Sequence, residues 1–279
     1  MDSKPPAVDC YGIMGYPVSH SRSPMIHRLF AMQTEQDLQY ELLKVAPSKL
    51  ESAIKRFQRK GGKGLNITVP HKAEVTRLVD HLSERASCAG AVNTLVFRDE
   101  DIVGDNTDGV GLMRDLLVNL KLNLTDASIL ILGAGGATRG IVAPLLDAEP
   151  KSITIANRTL SKARVLAEIF SATGPVIARR FEDLRSTSPF DFVINATSAG
   201  LKGEIPPYPE SAIGDQTFCY DLSYGLSPTP FCSWAAKQGA AHSVMGWGML
   251  VEQAAESFLM WRGVRPNTQE VLKQLSITA

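Results

Sequence analysis

The sequence predicts an α/β protein of two domains, one of them a doubly wound sheet of the dinucleotide-binding kind. Three observations carry this. Short apolar strands alternate with amphipathic helices through most of the 279 residues. One strand, Ile129 to Gly133, runs directly into a glycine-rich turn and then a helix. Two helices follow the last strand of that sheet, late enough in the chain to pack back on its beginning. The expected division is residues 1–107 with 243–279 in one domain and residues 108–242 in the other.

In the first domain "DCYGIMG" (9–15) reads as a strand, 24–36 as a helix, "QYELLKV" (39–45) as a strand and 47–60 as a helix. "KGLNITV" (63–69) is the next strand, with Leu65, Ile67 and Val69 on one face and Asn66 and Thr68 on the other. Pro70 ends it and suits a helix start, and Val75, Leu78, Val79 and Leu82 then recur at helical spacing. Two strands follow in "AVNTLVFRDEDIVG" (91–104).

The second domain opens with a helix at 108–122, lined by Leu112, Leu116 and Leu120 with Met113 and Leu117 beside them. After the glycine turn come a helix (137–146), the strand "SITIA" (152–156), a helix (160–170), a strand (176–179) and the strands in "DFVINAT" (191–197) and "TFCYDLS" (217–223). Two helices, 247–262 and about 267–275, close the chain. In the first of them Trp247, Leu250, Val251, Ala254, Phe258 and Trp261 form the expected buried stripe; Gln253 flanks it and Glu252 points away.

Composition narrows the function. The chain is 44% hydrophobic, with a formal net charge of zero. Neither a nucleic acid nor an anionic membrane is an expected partner. No apolar run reaches the roughly 18 residues of a membrane span. The N-terminus "MDSKPPAVD" lacks a signal-peptide core. Cys10, Cys88, Cys219 and Cys232 show no CxxC spacing, which fits a reduced, cytoplasmic protein. The histidines form no HxxxH pair, so no metal site is expected.

"GAGGATRG" (133–140) has the chemistry of a pyrophosphate site. Gly133, Gly135 and Gly136, with Ala134 and Ala137, allow a tight turn and close approach of backbone N–H groups at a helix start. Thr138 stands where the third glycine of GxGxxG belongs. At the end of the next strand an NAD site would carry an acid for the ribose. Here the chain has Asn157, Arg158 and Thr159, with Lys162 one turn on. A missing acid and an added base imply a 2′-phosphate, hence NADP(H).

"NITVPHK" (66–72) raises a separate question. Lys72 shares the apolar face of Val75 at an expected helix start, where a cation opposes the helix dipole by about 0.3–1 kcal/mol. Either its stem covers the core while the amine reaches water, or an anion compensates it. Asp108, at the start of another helix and on the face of Leu112 and Leu116, is the candidate partner. Asp105 reads as structural.

These segments, together with "SHSRSP" (19–24), "AVNTL" (91–95), "GDNTDGVG" (104–111), "NATSAG" (195–200) and "GMLVEQAAESF" (248–258), resemble the shikimate dehydrogenase family. The likeness runs in order from about residue 10 to residue 262. It implies a substrate domain built from both ends of the chain and an NADP-binding Rossmann domain between them. The implied reaction is NADPH-dependent, reversible reduction of 3-dehydroshikimate to shikimate, on the route to aromatic amino acids. It implies that Ser21 and Ser23 hold the substrate carboxylate, a role that competes with simple helix capping. Tyr224 lies near them by the same likeness, and Asn66, Thr68, Asn93 and Gln253 surround the ring hydroxyls. Lys72 and Asp108 become the catalytic pair. Thr197, Ser198, Leu222, Gly246 and Met249 join the cofactor residues. The family often has an acid where this chain has Met245, and some members carry arginine at the position of Lys162. The expected partner is the small-molecule substrate alone, in a monomer or a homodimer. Alternatives are a quinate/shikimate dehydrogenase using either nicotinamide, and a non-catalytic protein on the same scaffold, which should lack the Lys72–Asp108 dyad.

Overall fold

A buried polar residue between two apolar ones marks the centre of the first sheet. In the computed structural model, which describes residues 8–197, 199 and 208–278, Leu65, Asn66 and Ile67 are all buried. They lie on β3 (Gly62–Ile67), which follows β1 (Asp9–Gly15), α1 (Ser23–Gln33), β2 (Leu38–Lys44) and α2 (Leu50–Arg59). Then come β4 (His81–Leu82), α3 (Glu84–Ala89), β5 (Thr94–Arg98) and β6 (Asp101–Asp105). The sheet order is β2-β1-β3-β5-β6-β4, with β5 antiparallel to both neighbours. Leu65, Ile67 and Leu95 pack with Leu50, Ile54 and Phe57 of α2 into one core. On the other face the Trp261 indole stacks on Tyr11 at 4.7 Å and donates to Leu95 O at 3.0 Å. A Cβ on Gly64 would collide with that indole.

Two expectations here are corrected. Residues 71–82 are not an α-helix: a single 3-10 turn, Glu74–Arg77, is followed by the short strand carrying Leu82. The Lys72 carbonyl, which would serve such a helix, is taken by Val92 N at 2.8 Å, so tertiary pairing overrides the apolar spacing. The helix-dipole penalty on Lys72 therefore does not arise. Val69, expected to share the face of Leu65 and Ile67, is 45% exposed because β3 ends at Ile67.

The second sheet is built from β7 (Ser128–Leu132), β8 (Ser152–Ala156), β9 (Val176–Arg179), β10 (Phe192–Asn195), β11 (Phe218–Asp221) and β12 (His242–Met245). Between and around them lie α4 (Asp108–Arg114), α5 (Gly136–Leu146), α6 (Leu160–Phe170), α7 (Pro230–Lys237) and α8 (Trp247–Arg262), and α9 (Thr268–Thr278) ends the chain. All pairings are parallel, in the order β12-β11-β10-β7-β8-β9. The chain runs outward from β7 through β8 to β9 and then restarts at β10 on the other side. This is the doubly wound topology, with its switch point between β7 and β10. Separate apolar cores cover its two faces.

The helix expected at 108–122 is α-helical only to Arg114; Asp115–Asn119 form a π turn, closed by Leu120 N on Asp115 O at 2.9 Å. The wider turn displaces the stripe. Leu112 and Leu116 stay buried, while Leu117 is 43% exposed.

The two compact units are Met1–Thr107 with Gln253–Lys273, and Asp108–Glu252 with Gln274–Ala279. The return falls at 253 rather than the expected 243, since β12 pairs with β11 and Met249 N bonds Tyr220 Oη at 3.2 Å. Among the described residues no helix is long and apolar enough to cross a membrane.

Candidate active site

The glycine-rich turn leaves the C-terminal end of β7 at the switch point, where open α/β sheets bind ligands. Gly133 has φ +106°, a conformation that favours glycine, and a Cβ there would meet Ala196 O at 3.0 Å. A Cβ on Gly135 would meet nothing within 4 Å, so packing within the protein does not require this glycine. Gly135 also precedes α5 as its N-cap and offers no side-chain cap, which leaves Gly136, Ala137 and their neighbours as an amide-rich helix start. Thr138, in place of a third glycine, is buried and donates to Gly133 O at 2.9 Å, closing the turn from inside. Ala134 lies half-buried between Gly133 and Gly135. The turn thus fits a pyrophosphate.

Asn157, Arg158 and Thr159 follow β8, and no acid stands among them. Asn157 Nδ2 donates to Thr159 O at 2.9 Å, which fixes the bend into α6. Arg158, Thr159 and Lys162 are exposed. Thr197 follows β10 and bonds Asn195 Oδ1 through both its amide (3.2 Å) and its hydroxyl (2.8 Å). Ser198 lies outside the described residues. Leu222 N bonds Asn195 O at 2.9 Å. A Cβ on Gly246 would sit 2.8 Å from both Asp221 O and Leu222 O, so the chain enters α8 against the end of β11. Met249 is in the first turn of that helix. Tyr224 packs on Trp247, ring centroids 4.7 Å apart, and Trp247 Nε1 donates to Gly225 O at 3.3 Å.

The remaining expected residues belong to the first unit, apart from Asp108. Ser21 and Ser23 precede and open α1, with hydroxyls 3.1 Å apart; Arg22 holds the N-cap position without a side-chain cap, and Ser21 Oγ accepts from Ser23 N, the first amide of the helix, at 3.3 Å. Asn66 accepts from Tyr40 Oη at 2.7 Å and donates from Nδ2 to Ser257 Oγ (3.0 Å) and Asn93 O (3.2 Å). Thr68 sits against Gly15, where a Cβ would displace its methyl, and its amide bonds Met14 O at 2.9 Å. Asn93 donates to Thr107 Oγ1 (2.9 Å) and to Gln253 Oε1 (3.3 Å), and accepts from Thr107 N (2.8 Å). Thr107 directly precedes Asp108, the buried first residue of α4, and Val92, next to Asn93, holds the Lys72 carbonyl. Asp105 is structural. Burial pushes its carboxyl up, but hydrogen bonds from Arg85 (2.6 Å) and Ser83 (2.6 Å) and the Arg85 charge outweigh that and hold it below the usual range.

Several buried polar groups of the second unit carry no signal in the sequence. Glu252, expected to face solvent, is 1% exposed and pairs with Arg114 at 3.1 Å. Asn119 Nδ2 bridges Asp115 Oδ1 (2.9 Å) and Glu252 Oε1 (3.3 Å), and Tyr220 Oη donates to Asp115 Oδ2 at 2.6 Å. Burial pushes Asp115 above the usual carboxylate range against these bonds. A second buried network joins Asn195, Asp221, Thr229 and Tyr208. The signal for Thr229 was legible in "SPTPF": a threonine before Pro230 is a helix start, and Thr229 Oγ1 caps α7 at Cys232 N, 3.2 Å.

A doubly wound sheet with an amide-rich turn at its switch point defines a dinucleotide-binding protein. Three family models match the chain: "Shikimate dehydrogenase substrate binding domain" at residues 13–95, "Shikimate / quinate 5-dehydrogenase" at 116–202 and "Shikimate 5'-dehydrogenase C-terminal domain" at 246–275. Shikimate dehydrogenase (NADP(+)) of Hahella chejuensis is 52% identical over 268 residues, covering 96% of this chain and 98% of that protein. The enzyme of the same name from Nitrosospira multiformis is 50% identical over 267 residues, covering 96% and 97%. Among solved structures, an Ael1 enzyme from Pseudomonas putida superposes with a TM-score of 0.86 at 44% identity, covering 96% of this chain and 98% of that one. Shikimate 5-dehydrogenase from Thermus thermophilus, in complex with NADP(H) and shikimate, gives 0.84 at 29% identity, covering 95% and 97%. The chain belongs to the shikimate dehydrogenase family.

Proposed function

We propose that this protein reduces 3-dehydroshikimate to shikimate, reversibly and with NADPH, on the route to aromatic amino acids. Residues 108–252, apart from Asp108 and Tyr224, serve the cofactor, and the first unit serves the substrate. NADPH, when bound, supplies the hydride that reaches the ketone carbon. The first-turn amides of α5 hold its pyrophosphate, and Arg158, Thr159 and Lys162 hold the 2′-phosphate. Met249, Leu222, Gly246 and Thr197 line the nicotinamide side. Ser21, Ser23 and Tyr224 bind the substrate carboxylate, while Asn66, Thr68, Asn93 and Gln253 orient the ring.

As the hydride adds, negative charge grows on the ketone oxygen. The Lys72 ammonium stabilises that charge and delivers the proton that completes the alcohol. Asp108 hydrogen-bonds a substrate hydroxyl and orients Lys72. One observation carries this reading: consecutive residues of one segment hold the backbone at or beside each member of the dyad, Val92 at the Lys72 carbonyl and Asn93 at Thr107, one residue before Asp108.

Shikimate oxidation followed at the reduced-nicotinamide absorbance, with NADP+ and NAD+ in parallel, tests it. The expected result is strong preference for NADP+, and for Lys72→Ala a kcat lower by about 10²–10⁴-fold with little change in KM. Comparable rates with NAD+ would mean that Arg158 does not read a 2′-phosphate. A Lys72→Ala enzyme with ordinary kcat would remove Lys72 from the chemistry.

A further inference from the structure

We infer that Asp221, the last residue of β11, is a positioning residue whose one carboxylate fixes both Thr197 and the loop carrying Tyr224. The inference rests on the roles given above to those two residues.

Asp221 is fully buried; Oδ1 serves both segments, and Oδ2 serves the second alone. Oδ1 accepts from Asn195 Nδ2 at 3.0 Å. Asn195 ends β10, and its own Oδ1 receives the Thr197 amide, the Thr197 hydroxyl and the Tyr208 hydroxyl (3.0 Å). With those donors on its oxygen, the amide group can only point its NH2 at Asp221. The carboxylate therefore sets the Asn195 rotamer, and Asn195 sets Thr197. Tyr208 reinforces this arm, since its hydroxyl also lies 2.8 Å from Thr197 Oγ1.

The other arm runs forward along the chain. Oδ2 accepts from Thr229 Oγ1 at 2.6 Å, and Oδ1 also takes Ser223 N at 3.0 Å. Ser223 and Thr229 bracket the loop that contains Tyr224, so one carboxylate pins both of its ends. Thr229 in turn caps α7, which anchors the far end. A carboxylate has four acceptor sites and no donor when ionised, and every partner here is a donor. An amide at 221 would turn an NH2 towards one of them.

Each arm can be cut by its own substitution. Steady-state KM values for NADP+ and shikimate are measured for Tyr208→Phe, Thr229→Val, Thr229→Ser and Asp221→Asn, with thermal melts to establish folding. Tyr208→Phe keeps the ring and loses only the cofactor arm's hydroxyl; KM for NADP+ should rise about tenfold with KM for shikimate unchanged. Thr229→Val should do the reverse, Thr229→Ser should restore the wild-type value, and Asp221→Asn should raise both. A merely structural role would lower the amount of active enzyme without splitting the two KM values. Unchanged KM values, or both moving together in Tyr208→Phe and Thr229→Val, overturn the proposal. Thr197→Val and Tyr224→Phe are the direct controls. If they raise their own KM while the network variants do not, positioning has failed and the ligand contacts stand. If the controls change nothing, the ligand contacts themselves have failed, and the arms built on them fall with them.

Discussion

Burial removes His27 from solvent and stacks its ring on Tyr40 at 4.3 Å, with Phe30 at its edge. Neither ring nitrogen has a hydrogen-bond partner among the described residues. Desolvation lowers its pKa to about 3, against a weaker opposite pull from Asn66. The folded protein therefore leaves His27 neutral at pH values where the unfolded chain, with a histidine pKa near 6.5, binds a proton. More protons bound to the unfolded state means that stability falls as pH drops below about 6.5, by up to about 1.4 kcal/mol per pH unit. Asp105 contributes nothing to that slope between pH 7 and 5. Its depressed pKa gives stability that is present above the unfolded value and lost only as the pH falls through the folded one. Asp115 and Asp221 have raised pKa values, so their contributions have the opposite sign and decline as pH rises through them. Urea unfolding of wild type and His27→Phe at several pH values from 7 to 5 cancels those carboxylates in the difference. The wild type should lose stability towards pH 5 more steeply than the variant; parallel curves would place a proton on His27 in the folded state.

At the scale of elements, what the sequence made legible depended on where the decisive contacts lie. The helix 160–170 and the strands 9–15 and 176–179 coincide with α6, β1 and β9, because apolar periodicity reports burial against a single partner surface. Periodicity failed at residues 71–82, where Val92 captures the Lys72 carbonyl. The six-residue α3 was too short to show it, although Ser83, which caps Ala86 N at 3.2 Å, and Gly90 at φ +57° mark its ends. The candidate site followed the same rule. Its residues were nameable from motifs, but the groups that hold them, Ser257, Tyr40, Asp221 and Asp115, come from distant segments and carry no local signal. Glu252 was misread because the start of α8 is buried on more than one side. That burial makes a prediction at Gly248. Alanine for glycine inside an exposed helix ordinarily stabilises by about 0.5–1 kcal/mol. Here a Cβ would fall within the Asp115 carboxylate, which Tyr220 and Asn119 hold in place. Gly248→Ala should destabilise by about 1–3 kcal/mol. A thermal melt decides the sign, and a raised Tm would mean that Asp115 is free to move aside.

The whole molecule is two units with separate apolar cores, one gathered on α2, β3 and β5, the others on the two faces of the doubly wound sheet. The chain enters the second unit at Asp108 and leaves it within α8, so the proposed dyad and the proposed ligand residues are divided between the units. Each ligand should then leave its own mark on local stability, since binding protects whatever must open to release it, by about 2.7 kcal/mol at a hundredfold excess over Kd. With NADP+ alone, amide hydrogen exchange should slow at the start of α5 and of α6. Shikimate alone should slow exchange around residues 66–72 and 91–95, where Asn66, Thr68 and Asn93 are bonded into the first sheet. Because only a few backbone segments touch each ligand in this reading, β9 and α2 should exchange at the same rate throughout. Uniform slowing of every segment by either ligand would show that the two cores open as one cooperative unit, and the two ligands would then leave no separate marks.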